Sequence, residues 1–363
     1  MKNLLYFVRN FGNENFNDRP FDEVDALLLC QLAYLNFEKI VKEDKEIYLY
    51  SIIKNENFQI LCDNTVCENK NLKLLKLLSH CNRYRYVKIN YIRNQLCYEN
   101  IEQFFAITFI FDDFIFVAFR GTDVTILGWK ENFNMSYLKE IPSQRDSVIY
   151  INKIYDIYKK KMYIGGHSKG GNLALYSAMY SKNLINNNII KVFNFDGPGF
   201  SNNIFGNEEY LQIENKLVTL TTQEAIIAVL MYHTDSFNFV NAKGFSIFKH
   251  DAFNWTLTKD GRFKYIKRNT PQSRWFDRAI RHFYEDTTDL DRKKFVDILF
   301  TIIEVSPNTT VFDFKRHPIR FIKGVRLRFK LLTKDEKKFF KSILKKLRRS
   351  FYHILKLKIK RKI

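Results

Sequence analysis

Eight residues at positions 165–172, GGHSKGGN, narrow the choice of fold more than any other stretch of the chain. The protein has only 13 glycines, and four of them surround one serine here. Glycine is used where backbones approach closely or take angles that a side chain forbids. Two readings fit: a close-packed turn with a bystander hydroxyl, or a sharp strand-to-helix bend that holds a serine out at its tip. The flanks favour the bend. Residues 161–164 read as a short strand entering the glycines. Residues 172–181, with Leu173, Ala174, Tyr176, Ser177 and Ala178, read as a helix leaving them.

The neighbouring segments predict the rest of the architecture. Residues 21–40 carry apolar side chains at Val24, Leu27, Leu28, Leu32 and Leu35 with acids in the first turn, a helical pattern. Residues 41–100 give no strong signal. Two dense apolar runs, 104–111 and 114–119, flank Asp112-Asp113 and predict a hairpin of buried strands. Residues 146–160 predict a helix whose inner face holds Ile149, Ile151, Ile154, Tyr155 and Tyr158. Residues 189–195, 216–220 and 245–248 predict further strands, and 271–345 mostly helix. Alternating strand and helix in the middle of the chain predicts an α/β sheet with parallel strands joined by helices.

The chemistry of G-x-S-x-G in this context starts from Ser168. A strained bend exposes its hydroxyl, and the N-terminus of the following helix favours the negative charge of a tetrahedral oxyanion. Serine needs a base. In this kind of fold the order along the chain is serine, acid, histidine. That order removes His80, and His167 sits inside the bend itself. His282, His317 and His353 lie in the helical or basic C-terminal part. His233 ends the apolar run AIIAVLMYH, where it reads as a cap on a helix C-terminus. His250, which heads KHDAFNW after a predicted strand, is the preferred base. Asp196 is the preferred acid, standing directly after the 189–195 strand; Glu224, after the next strand, is its rival. Asp235 and Asp251 are weaker candidates. The 114–119 strand ends in Arg120-Gly121-Thr122-Asp123, which offers Thr122 as an oxyanion donor beside the backbone N–H of Lys169. Arg120 reads as a structural ion pair.

Taken together, FRGTD, GWKENFNMSY, GGHSKGGNLALY, NFDGPGF and KHDAFNW resemble an uncharacterised bacterial family of predicted α/β-hydrolases allied to the class 3 lipases. FDEVDALLLCQLAYLNF and DRKKFVDILFTIIEVS extend the resemblance over about residues 20–345. It implies an α/β-hydrolase fold, with Ser168 as nucleophile, the Thr122 loop as oxyanion hole, and Asp196 and His250 as the other triad members. In class 3 lipases the acid comes later, nearer Glu224, so that choice stays open. The implied reaction is two-step acyl transfer on a carboxylic ester of a small molecule or lipid.

Composition adds bounds. A chain of 363 residues with 46% hydrophobic content can bury a large core. The five cysteines, Cys30, Cys62, Cys67, Cys81 and Cys97, form no C-x-x-C pair, which argues against a disulfide framework and a zinc site and for a cytoplasmic protein. No cofactor or metal is expected. The first 16 residues are too short in apolar run for a signal peptide, and no stretch reaches a membrane span. The expected division is an α/β-hydrolase domain at 1–270, a helical C-terminal appendage at 271–335 and a basic tail at 336–363. The tail carries +11 of the chain's +20. Phe340, Ile343, Leu344, Leu347, Phe351, Ile354 and Leu355 fall on one helical stripe, with Lys341, Lys345, Arg348 and Arg349 largely outside it. Such a stripe either packs on the protein's own core or meets an anionic membrane peripherally. Nucleic acid is a third reading, with no recognised motif behind it.

Overall fold

The computed structural model describes residues 1–41, 45–54, 58–224, 226–234, 237–267, 269–304, 310 and 316–360, with side chains as far as 354. Among these, nine strands form one sheet in chain order: β1 (Ile47–Tyr48), β2 (Lys88–Cys97), β3 (Glu102–Ile110), β4 (Phe114–Phe119), β5 (Lys161–His167), β6 (Ile189–Phe195), β7 (Leu217–Thr222), β8 (Asn238–Val240) and β9 (Tyr265–Ile266). Strands β1 to β4 pair antiparallel, β4 to β8 parallel, and β9 returns antiparallel on β8.

The apolar runs of β3 and β4 are buried on both sides because the side chains alternate between two cores. Phe105, Ile107, Phe109, Phe116 and Ala118 face one core with Leu28 and Leu29 of the helix Glu23–Leu32. Phe104, Ala106, Ile115, Val117 and Phe119 face the other, with Ile151 and Ile154 of the helix Pro142–Tyr158 and Leu173 and Ala174 of the helix Lys169–Tyr180. A mixed sheet whose central strands β4 to β8 run parallel, with helices on both faces and a strand–serine–helix bend at the carboxyl end of β5, is an α/β-hydrolase fold.

Several expectations need correction. The helix expected over 21–40 ends at Leu32: the chain beyond it tightens into turns, Tyr34 N–H to Gln31 O and Leu35 N–H to Leu32 O, and Arg120 takes the carbonyls of Ala33 (2.6 Å) and Leu35 (2.7 Å). Strand β2 gave no sequence signal: polar residues interrupt it, and its register slips at Asn90/Arg93, beside Tyr91 with φ of 51°. Ile149 is not on the inner face of its helix but 49% exposed. The strand expected at 245–248 is a 3₁₀ turn, Ser246–His250. The apolar run before His233 does not form a helix among its described residues. Its backbone bonds instead with the loop after β6, Gly199 N–H to Leu230 O (3.0 Å) and Phe200 with Tyr232 in both directions.

After the sheet come the helices Pro271–Glu285, Asp289–Ile303, Pro318–Leu331 and Lys334–Lys360. The apolar stripe of the last one packs on the protein: Phe351 lies against Trp275 and Phe276, Phe340 stacks on Phe295 at 5.0 Å, and Ile343 and Ser350 are buried. Leu344 is an exception at 43% exposed.

Candidate active site

The site forms where β4, β5, β6 and β7 end side by side. Phe119 is in register with Gly166, and His167 with Phe195. The chain turns sharply after His167 and enters the helix Lys169–Tyr180. Ser168, at the turn, has φ of 60° and ψ of −133°, a conformation that costs a non-glycine residue about 1–3 kcal/mol. The turn holds because its surroundings leave no room for relaxation. A Cβ on Gly166 would lie 2.1 Å from the carbonyl of Gly170, so the strand and helix can pack this closely only through glycine. The Ser168 N–H still reaches the sheet, donating to Phe195 O at 2.9 Å. Its hydroxyl caps nothing in the helix it precedes.

The loop after β4 lies directly on this turn. A Cβ on Gly121 would fall 3.0 Å from Ser168 Cβ and 2.6 Å from His167 O. The next residue, Thr122, has a buried hydroxyl with no hydrogen-bond partner. Thr219, Thr222 and Ser273 also carry buried hydroxyls without a partner, and Ser168 beside this loop is half-buried. The loop is braced by Asp123, which accepts from Thr125 N–H (2.8 Å), while Thr125 caps the helix Ile126–Asn134 through Gly128 N–H (3.0 Å). The backbone N–H of Lys169 is the first of its helix and has no intrahelical acceptor. The Lys169 side chain is fully buried: its ammonium donates to Glu131 Oε2 (2.6 Å), Gln103 O (2.6 Å) and Gln103 Oε1 (3.0 Å).

Asp196 and His250 meet here although 54 residues separate them. His250 Nδ1 lies 2.6 Å from Asp196 Oδ2, and the other carboxylate oxygen accepts from the Thr221 hydroxyl at the end of β7. Asp196 is buried, and the His250 side chain is 18% exposed. An imidazole donating Nδ1–H to a carboxylate presents Nε2 as its basic nitrogen. Glu224 points elsewhere: it accepts from Lys249 (2.6 Å) and from the Ser246 N–H, and these bonds outweigh its burial to hold its pKa below the usual value. Asp251 caps the turn at Phe253 and pairs with Lys70. His233 rests on Asp277 (3.2 Å) of the helix Pro271–Glu285, not on a helix end. Asp235 falls outside the described residues. Arg120 binds the carbonyls of Ala33 and Leu35, with Glu38 3.8 Å away.

Sequence reasoning set His167 aside, yet its side chain holds the backbone of His250. His167 Nε2 donates to the backbone carbonyl of His250 (2.8 Å), Tyr34 approaches its Nδ1 (3.2 Å), and the two imidazoles lie 4.5 Å apart. Burial, with the charge of His250 nearby, lowers its pKa to about 4, so the ring stays neutral in ordinary buffers. The signal in the sequence was its place one residue before the serine, which forces it under whatever covers the bend. Thr221 had no such signal. No group of three His, Cys, Asp or Glu suited to a metal occurs among the described residues.

Comparison with known proteins gives one family and a set of structural likenesses. A family model described as Mbeg1-like matches residues 78–301, more than half of the chain. No curated protein matches. Among solved structures, the crystal structure of M37 lipase is similar with a TM-score of 0.38 and 16% identity, over 69% of this chain and 84% of that one.

Proposed function

Given that the chain belongs to the Mbeg1-like family, we propose that it is a serine hydrolase that cleaves a carboxylic ester of a lipid or small molecule through an acyl-enzyme. The observation that carries this reading is the His250–Asp196 pair, with its carboxylate buried, at the strand edge where Ser168 stands in a strained turn. Ser168 Oγ attacks the ester carbonyl and His250 Nε2 takes its proton. Asp196 holds the imidazole in the tautomer that can do so. The tetrahedral oxyanion rests on the Thr122 hydroxyl and the Lys169 N–H. His250 then protonates the leaving alcohol, and water, activated by the same imidazole, releases the acid. The chain's charge of +20 fits an ester presented at an anionic membrane surface.

The test is labelling by a fluorophosphonate probe together with hydrolysis of short- and long-chain acyl esters. Ser168→Ala is expected to abolish labelling and lower turnover at least about 10³-fold. Thr122→Val is expected to lower turnover on the order of 10²-fold while Thr122→Ser keeps most of it. A folded wild-type protein that neither labels nor turns over any ester would leave a non-catalytic hydrolase fold instead.

A further inference from the structure

We propose that the outer face of the helix Pro318–Leu331 is a docking surface for an anionic lipid membrane. Charge and apolar exposure coincide there. Residues 316–363 hold 19 Lys or Arg against two acids, a net +17 of the chain's +20, leaving only +3 for residues 1–315. The helix itself contains no acid.

Its inner side is committed to the fold. Phe321 is buried, and Val325 and Phe329 pack towards Ile298 and Ile302 of the helix Asp289–Ile303. Its outer side is not. Ile319, Ile322, Leu327 and Leu331 are 72%, 50%, 61% and 77% exposed. At 100° per residue these four fall on one half of the helix, interleaved with Arg320, Lys323, Arg326 and Lys330. None of those four cations forms an ion pair among the described residues. A helix that buries one side and offers aliphatic and cationic groups together on the other is chemically matched to a membrane interface. The aliphatic groups enter the headgroup–acyl boundary while the long basic side chains reach back to lipid phosphates. The helix Lys334–Lys360 adds to the same positive field, with its own apolar stripe already spent on the fold.

Other occupants fit less well. A polyphosphate such as DNA would use the cations but gain nothing from four exposed aliphatic side chains. A second copy of the chain would bring like charge against like. The surface is independent of the chemistry at Ser168, so its failure and that of the hydrolase reading are separate.

The experiment is co-sedimentation of the full-length protein with vesicles of phosphatidylglycerol and phosphatidylcholine, compared with phosphatidylcholine alone. Binding is expected to be at least about tenfold stronger on the anionic vesicles and to fall as salt is raised from about 0.05 to 0.5 M. Ser168→Ala is expected to bind as wild type does. The variant Ile319→Ser, Leu327→Ser, Leu331→Ser keeps every charge and alters only exposed positions. It is expected to melt as wild type does and to lose about tenfold or more in vesicle binding. Lys323→Gln, Arg326→Gln, Lys330→Gln is expected to lose a similar factor. Equal binding to neutral and anionic vesicles, no vesicle binding at all, or wild-type binding by the variant Ile319→Ser, Leu327→Ser, Leu331→Ser would each overturn the proposal. So would retention by duplex DNA that the serine substitutions leave unchanged, accompanied by no vesicle binding.

Discussion

His167 commits both ring nitrogens, Nε2 to the His250 carbonyl and Nδ1 to Tyr34, and that commitment has a pH signature. Its pKa is lowered from 6.5 to about 4 by burial and by neighbouring His250. Below about pH 6.5 the unfolded chain therefore takes up a proton that the folded chain refuses until about pH 4. The contribution of this group to stability is complete above pH 6.5 and shrinks as pH falls through that window, by on the order of 3 kcal/mol in all. Urea midpoints measured between about pH 4.5 and 7.5 should fall more steeply for wild type than for His167→Gln, which has no proton to take up. Parallel slopes would mean that His167 is not held neutral. His250 is placed by a contact to its backbone, from a residue whose side chain the motif leaves unassigned.

The elbow helix Lys169–Tyr180 and the helix Ile126–Asn134 are tied by the Lys169–Glu131 pair, with both side chains fully buried. Glu131 also accepts from Ser143 N–H (3.1 Å) and from the Ser143 hydroxyl (2.6 Å), and from Gln103 N–H (3.0 Å), so one carboxylate joins its own helix to two others and to β3. Breaking such a pair strands a charge in the core. Lys169→Met alone should cost about 3–5 kcal/mol, and the double variant Lys169→Met, Glu131→Leu should recover much of that loss. Denaturant unfolding of the two variants checks it: a double variant no more stable than the single would show that the pair's other hydrogen bonds, not its charge, hold the helices. At this scale sequence patterns succeeded where periodicity was strong and failed where the chain had a tertiary partner. The runs 104–111 and 114–119 in β3 and β4 are visible because every residue but Thr108 is apolar. The run before His233 is equally apolar, but Gly199 and Phe200 take its backbone hydrogen bonds and exclude a helix.

Across the whole molecule, the C-terminal helix Lys334–Lys360 is part of the packing rather than a detachable arm. It covers Trp275, Phe276 and Phe295. Deleting residues 334–363 should therefore lower the melting temperature by several degrees and raise binding of an apolar dye, roughly as expected when about 2–4 large apolar side chains are unburied. An unchanged melting curve would mean that the helix is dispensable. The sequence by itself determined the features that depend on neighbours in the chain. These are the strand–glycine–serine–helix bend, the β3–β4 hairpin, the alternation that predicts a parallel sheet, and the concentration of positive charge after residue 316. Each follows from local sterics or from composition, which need no knowledge of distant partners. Only the tertiary structure decided which carboxylate faces His250. Asp196 and Glu224 both follow strands, and nothing local separates them. In the fold Lys249 and the Ser246 N–H draw Glu224 away, while Thr221 props Asp196 against the imidazole. It also decided that the tail's apolar stripe turns inward and the aliphatic face left to solvent lies on Pro318–Leu331, because burial depends on which surfaces remain once the sheet and its helices have packed.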